Sequence, residues 1–323
     1  MIRWQHIALW VVFLAIMVAM PDILAALGFK KGVLRTLIWG CYIAIFAMSW
    51  DFLSGRTGYI SFGHPFLIGL GAYTTAILSY RFGVPVALSI PAAVVVTVIG
   101  SIFFILPALR VRGSYFALVT LAFMELMYQL TQVVRPDLTG GTRGISGLET
   151  LTRGAVNGYF LAFAVMFCVA LVLWTLNRTR LGTALSAIGQ NEDAVAGSGL
   201  NPVKLKLFAF GVSAAVAGLG GAFLVHYQGS VAPRALFDIN FVFTIIVAAL
   251  IGGAGTILGP MAGAFFLVLL LEYLRPWLPG AERYLIYGGI ALVIYMIQPK
   301  GIHAMLSGLG MKVRGGRNAG AGS

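Results

Sequence analysis

Charge is what this sequence has least of. Asp and Glu number 10 and Lys and Arg 22, together 10% of 323 residues, against roughly 25% in ordinary soluble domains. So few charges could not keep a soluble particle of this size dispersed, and the same arithmetic excludes a disordered chain and a nucleic-acid-binding domain. Cysteine occurs twice, at Cys41 and Cys168, each inside an apolar run, so there is no disulfide framework. No histidine, cysteine or carboxylate group has the spacing of a metal site. A GxxxxGK(S/T) phosphate loop, a nucleophile elbow and a dinucleotide fingerprint leading into a soluble domain are all missing. That argues against an ATPase of that type and against a membrane enzyme. Rows of intramembrane carboxylates, expected of an ion-driven pump, are missing too.

What fills the chain instead is apolar: 59% hydrophobic residues and a mean hydropathy of +0.93. A spanning helix needs about 20 such residues. The candidates are Ile7–Leu27, Leu34–Leu53, Tyr59–Tyr80, Val84–Leu109, Ser114–Val134, Gly158–Leu176 and Leu207–Tyr227, then two linked runs, Phe241–Gly253 and Ile257–Leu274, and finally Tyr284–Ile297. The first resembles a signal peptide behind Arg3, but with so many spans downstream it reads as an uncleaved helix. The linked pair reads as two crossings or as one re-entrant element, and either gives an even number of crossings. With the N-terminus in the cytoplasm, 12 of the 22 Lys and Arg fall inside, although Lys30, Lys31 and Arg35 fall outside.

Two polar stretches interrupt the pattern. Arg135–Asn157 is Gly- and Thr-rich, and Arg178–Lys206 is the longest polar segment. In the latter, Leu181, Ala184, Leu185, Ile188 and Val195 fall on roughly one helical face. This predicts a short amphipathic helix, either lying on the membrane or docking its apolar face in a partner's groove. The acidic pair Glu192 and Asp193 favours a protein partner over an anionic bilayer. The Gly-rich basic tail, residues 307–323, reads as disordered, leaving residues 1–306 as one transmembrane domain.

Several smaller features are weighed here. Runs beginning at Ser61 and Thr256 both place small residues near a proline before an apolar helix, as paired interrupted segments of a repeat would; glycine is also simply common in membrane helices. Ala214-Gly218-Ala222 and Gly259-Gly263 are packing signals. Glu125, Gln129 and Gln132 share one face of their segment, directed at a water-filled path or another helix. His64 reads as a hydrogen-bonded structural residue, and Asp51, Ser54 and Arg56 as an interfacial salt-bridge cluster.

Six ordered blocks then stand out: AMSWDFLSGRTGYISFGHPFLIGLGAYTTAIL, RVRGSYFALVTLAFMEL, TGGTRGISGL, RLGTALSAIGQNEDAVAGSGLN, AGLGGAF and LIGGAGTILGPMAGA. Through them the chain, from about Ala47 to Gly301, resembles the permease subunits of branched-chain amino acid ABC importers, the LivM type. The resemblance implies an all-α polytopic bundle of about eight to ten membrane-length helices, in the ABC importer permease fold with interrupted helices and an inverted repeat. It implies residence in the bacterial inner membrane. The implied partners are a second related permease, two cytoplasmic ATP-binding subunits and a soluble substrate-binding protein, with ATP used by those partners and no cofactor bound by this chain. Residues 178–206 become the cytoplasmic coupling loop, with Arg180, Gly182, Ala184, Ala187, Ile188, Asn191 and Glu192 as its contact residues. Phe62, Gly63, His64, Glu125, Gln129, Gly252, Gly253 and Gly255 are the candidates for the passage lining. Leucine, isoleucine and valine are the implied solutes, with urea, amides or aromatic acids as alternatives, and a stand-alone secondary transporter behind those. Two positions depart from the family pattern: Tyr59 stands where glutamine is common, and Gly189 where a basic residue is usual.

Overall fold

The computed structural model describes residues 15, 17–24, 26, 31–109, 111, 113–278, 280, 282, 286, 288–290, 293 and 296. The expected first and last spans are therefore described only in part, and the basic tail lies outside the described residues. Within them, six stretches are long and apolar enough to cross a membrane: Gly32–Gly55, Val86–Ala108, Ser114–Val133, Ala155–Asn177, Pro202–Gln228 and Pro233–Gly252. Helix α1 (Lys31–Trp50) runs on into one turn of π-helix, Asp51–Gly55. It is followed by α2 (His64–Phe82), α3 (Val86–Ala108), α4 (Ser114–Val133) and the single turn α5 (Pro136–Thr139). Then come α6 (Ala155–Asn177), α7 (Arg180–Gln190), α8 (Glu192–Gly197) and α9 (Pro202–Gln228). The short α10 (Pro233–Leu236), α11 (Ile239–Gly252) and α12 (Leu258–Leu274) complete the series.

Burial separates the middle of the bundle from its rim. The spanning windows of α1 and α9 are 72% and 67% buried, those of α3 and α4 only 33% and 22%. From Cys41 to Met48 no residue of α1 is more than 1% exposed. Lipid supplies no hydrophobic drive for helices to associate, so close backbone approach through small residues has to serve. It does so at two crossings. A Cβ on Gly71 of α2 would run into the Gly218 carbonyl of α9, and one on Gly252 of α11 into that of Gly259 on α12. The packing reading of Gly218 and Gly259 is therefore physical.

Helices α1, α3, α6 and α11 run toward the end of the bundle where α7 and α8 stand; α2, α4, α9 and α12 run away from it. We call this the elbow end. At the opposite end, β1 (Ile145–Ser146) pairs antiparallel with β2 (Ser230–Val231), tying the long polar loop to the end of α9. His226 adds a second tie through Nδ1 to the Glu149 carbonyl at 2.8 Å, with Nε2 2.9 Å from Thr75 Oγ1.

The linked apolar runs form an antiparallel hairpin, α11 and α12, in keeping with both readings of them, and its turn at 253–257 reaches the π-turn at Asp51. Two expectations change. The span expected from Tyr59 starts only at His64, because residues 56–63, helical only at Arg56 and Thr57, cross the elbow end as an irregular strap, with Trp50 Nε1 donating to the Ser61 carbonyl at 2.8 Å. Finally, the two Gly- and Pro-bearing runs start helices that point the same way, α2 and α12, whereas inverted mates would point in opposite directions. Each begins a helix inside tight packing, with residues 64–69 and 259–261 buried.

Candidate functional site: the elbow and its strap

The polar stretch folds into two helices rather than one. Thr179 caps α7 by accepting from the Gly182 N–H, Asn191 caps α8 by accepting from Ala194 N–H at 3.0 Å, and Asn201 caps α9 by accepting from Lys204 N–H at 3.1 Å. Asn191 is extended, at φ −159 and ψ 104, so the chain breaks there. An oxygen-bearing side chain accepting from N2 or N3 is the usual way to start a helix, and three such residues at 179, 191 and 201 divide the segment.

Most of the apolar face predicted for this segment turns inward: Leu185, Ile188 and Val195 are buried against the chain's own bundle, Ala184 is half-buried, and Leu181 stays exposed. The buried part corrects the expectation that the face would lie on a membrane or in a partner's groove. Besides Leu181, the elbow presents Arg180, Thr183, Gln190, Asn191 and Asp193. Of the residues carried over for coupling, Arg180 and Asn191 are exposed, Ala184, Ala187 and Glu192 half-buried, and Gly182 and Ile188 buried. Gly182 sits against the Asn177 backbone, so it and Ile188 hold the elbow in place instead of offering contact.

The strap at 56–63 fastens the elbow to the bundle. Arg56 Nη1 donates to Ser186 Oγ at 2.8 Å, and a Cβ on Gly189 would lie 2.5 Å from the Arg56 carbonyl. A side chain at 189 would therefore meet the strap backbone. Tyr59 Oη donates to Glu192 Oε2 at 2.6 Å, and Lys206 Nζ donates to Glu192 Oε1 at 2.7 Å. Burial, and then the bond to Glu192, pushes the Tyr59 phenol above its ordinary range, so it stays a protonated donor. Tyr59 drew notice in the sequence only as a departure; Lys206 and Ser186 did not, since nothing local marks them.

The residues expected to line a passage divide into two groups. Glu125 and Gln129 lie exposed on α4, joined by a 2.7 Å hydrogen bond. Glu125 opens onto a groove of about 480 Å³ between α4 and the α10–α11 corner, shared with Tyr128, Arg234, Phe237 and Asp238. Phe62 lies at the elbow end of the same seam: its N–H donates to Thr120 Oγ1 of α4 at 3.0 Å, and its ring stands edge-on to Phe243 of α11. The remaining residues face packing. Gly63 abuts Thr120, and His64 is fully buried with Nε2 3.0 Å from Ser213 Oγ. Gly252 and Gly253 are buried in the hairpin, and Gly255 donates its N–H to Asp51.

Asp51 corrects another expectation. Its carboxylate is fully buried and accepts from the Gly255 and Ile257 N–H groups, the latter at 3.0 Å, while Arg56 turns to Ser186. It is a cap for a turn more than 200 residues away, not an interfacial ion pair.

A bundle of spanning helices, with a grooved seam and a capped two-helix elbow at one end, defines a multi-pass membrane permease. A family model described as branched-chain amino acid transport system, permease component, matches residues 32–295, and the chain belongs to that family. Among curated relatives, the high-affinity branched-chain amino acid permease LivM of Salmonella typhimurium is 28% identical over 290 residues, 81% of this chain and 67% of that protein. The probable LivM of Methanocaldococcus jannaschii is 25% identical over 76% of this chain and 77% of its own length. The ribose import permease RbsC of Haemophilus influenzae is 29% identical over 61% of this chain and 62% of its own length. No solved structure matches the chain.

Proposed function

We propose that the chain is the membrane-embedded permease subunit of an ATP-driven importer that carries branched-chain amino acids across a bacterial inner membrane into the cytoplasm. The observation that carries this is the elbow: two capped helices, α7 and α8, with their apolar side packed inward and a polar side presented, on a chain whose sequence contains no phosphate loop. Such a surface suits a cytoplasmic ATP-binding subunit. ATP binding there would shift the balance between outward- and inward-open states through contacts that differ between them. A second, related permease would cover the exposed face of α4, enclosing the seam of Phe62, Glu125 and Gln129 as the passage. A soluble binding protein would deliver the solute at the β1–β2 end.

The experiment is co-expression and reconstitution. A tagged chain should bring down two ATPase subunits and the second permease, and proteoliposomes holding the set should take up leucine only with ATP and binding protein. Because the ribose permease RbsC is among the relatives, ribose uptake is measured beside leucine. Uptake of ribose and not leucine would replace the substrate assignment. Labelling of a cysteine at Ala196 by an impermeant reagent from outside intact cells would refute the coupling role.

A further inference from the structure

Helix α8 has little apolar anchorage. It is six residues long, and Val195 is its one buried side chain. Helix α7, by contrast, is seated by Leu185 and Ile188 and tied by Arg56 to Ser186. With the chain broken at Asn191, something other than hydrophobic contact must fix the angle of α8 to the bundle. Three side chains from separate elements meet there: Tyr59 of the strap, Glu192 at the first position of α8, and Lys206 in the second turn of α9.

Both Glu192 oxygens are engaged, Oε2 by Tyr59 Oη at 2.6 Å and Oε1 by Lys206 Nζ at 2.7 Å. Lys206 also donates to Tyr59 Oη at 3.2 Å and lies 4.5 Å above the Tyr59 ring, which itself stands edge-on to Phe116 of α4. The Lys206 side chain is 4% exposed and that of Glu192 16%. A buried ammonium cannot lose its partner cheaply, so α8 cannot swing away while α9 and the strap stay behind. The strap is bonded onward: Ser61 N–H to Ser54 Oγ, Phe62 N–H to Thr120, and Asp51 to the hairpin turn.

We propose that Tyr59, Glu192 and Lys206 form a latch that makes α8 move with α9 and the strap as one body, so that a push on the elbow reaches the start of α2 and the α11–α12 turn. Tyr59 and Lys206 are positioning residues, acting through Glu192. The proposal rests on the reading of the elbow as the ATPase contact, and its test separates the two.

Amide hydrogen exchange of residues 192–198 is measured in the purified full chain with no ATPase present. Lys206→Met should speed that exchange about tenfold or more, and Tyr59→Phe by a smaller factor, with α2 and the core of α9 unchanged. The swap Glu192→Lys/Lys206→Glu should restore protection, and the neutral pair Glu192→Gln/Lys206→Met should not. In the reconstituted complex, Lys206→Met should lower the leucine taken up per ATP hydrolysed. Unaltered exchange in both Lys206→Met and Tyr59→Phe overturns the latch, and so does equal protection from the neutral pair and the swap. Failure of the unaltered chain to bind ATPases would count against the coupling reading, and the exchange result would still judge the latch.

Discussion

Replacing Asp51 by alanine would remove the carboxylate that ties the α11–α12 turn to the end of α1. Two bonds go with it, from the Gly255 and Ile257 N–H groups. Hydrogen bonds to a charged group contribute about 1.5–3 kcal/mol each, so the gross loss is about 3–6 kcal/mol. One effect opposes this. Ile257 holds a φ of 64, a conformation that costs a β-branched residue about 1–3 kcal/mol. Freed from Asp51 the turn could relax, but the Ile257 side chain is fully buried and most of that strain would stay. The net destabilisation is then about 2–5 kcal/mol. Asparagine keeps one acceptor oxygen and should cost about half as much. Gly55→Ala offers an independent perturbation, since its Cβ would displace the Asp51 carboxylate from Gly255. Because both changes break the Gly255 bond, the double variant should fall short of the sum. The assay is thermal unfolding of the detergent-solubilised chain, followed by gel filtration of the surviving monodisperse protein. Asp51→Ala should lower the midpoint by about 3 °C or more. Midpoints for Asp51→Ala and Gly55→Ala both within about 1 °C of the parent would refute the bonding scheme.

Other outcomes follow from packing and capping. Gly252→Ala puts a methyl against the Gly259 carbonyl and should destabilise the hairpin by about 1–3 kcal/mol, read as a lower unfolding midpoint. Gly189→Arg should push α7 off the Arg56 carbonyl and raise amide exchange across residues 180–190. Asn191→Ala removes the α8 cap at about 1 kcal/mol and should weaken ATPase co-purification without altering the yield of folded chain. Glu125→Gln preserves an acceptor for Gln129 and should leave the pH profile of uptake unchanged; an altered profile would point to a proton relay at Glu125.

The parts of this molecule visible in its sequence are those written in neighbouring residues. Hydropathy marks α3, α4 and α6 to within a few residues, but periodicity alone reads one helix in the polar stretch that the caps at Thr179, Asn191 and Asn201 divide. What stayed hidden depends on partners far along the chain. The Asp51 carboxylate finds its donors 204 and 206 positions away, and Tyr59 meets Lys206 147 positions away. A carboxylate one turn or so before an arginine suggests an ion pair, yet the fold brings Asp51 backbone donors and gives the Arg56 hydrogen bond to Ser186. The amphipathic face of α7 was legible as a face, but periodicity carries no record of which side of a helix the remainder of the chain will occupy.

The uneven burial of the helices has a practical side for anyone wishing to watch this protein work. Positions 41–48 of α1 leave no room on any side, so a fluorophore or spin probe there would report damage in place of motion. Leu88, Ile99 and Phe103 on α3 are 64–73% exposed and are the natural attachment points for reporters of helix movement.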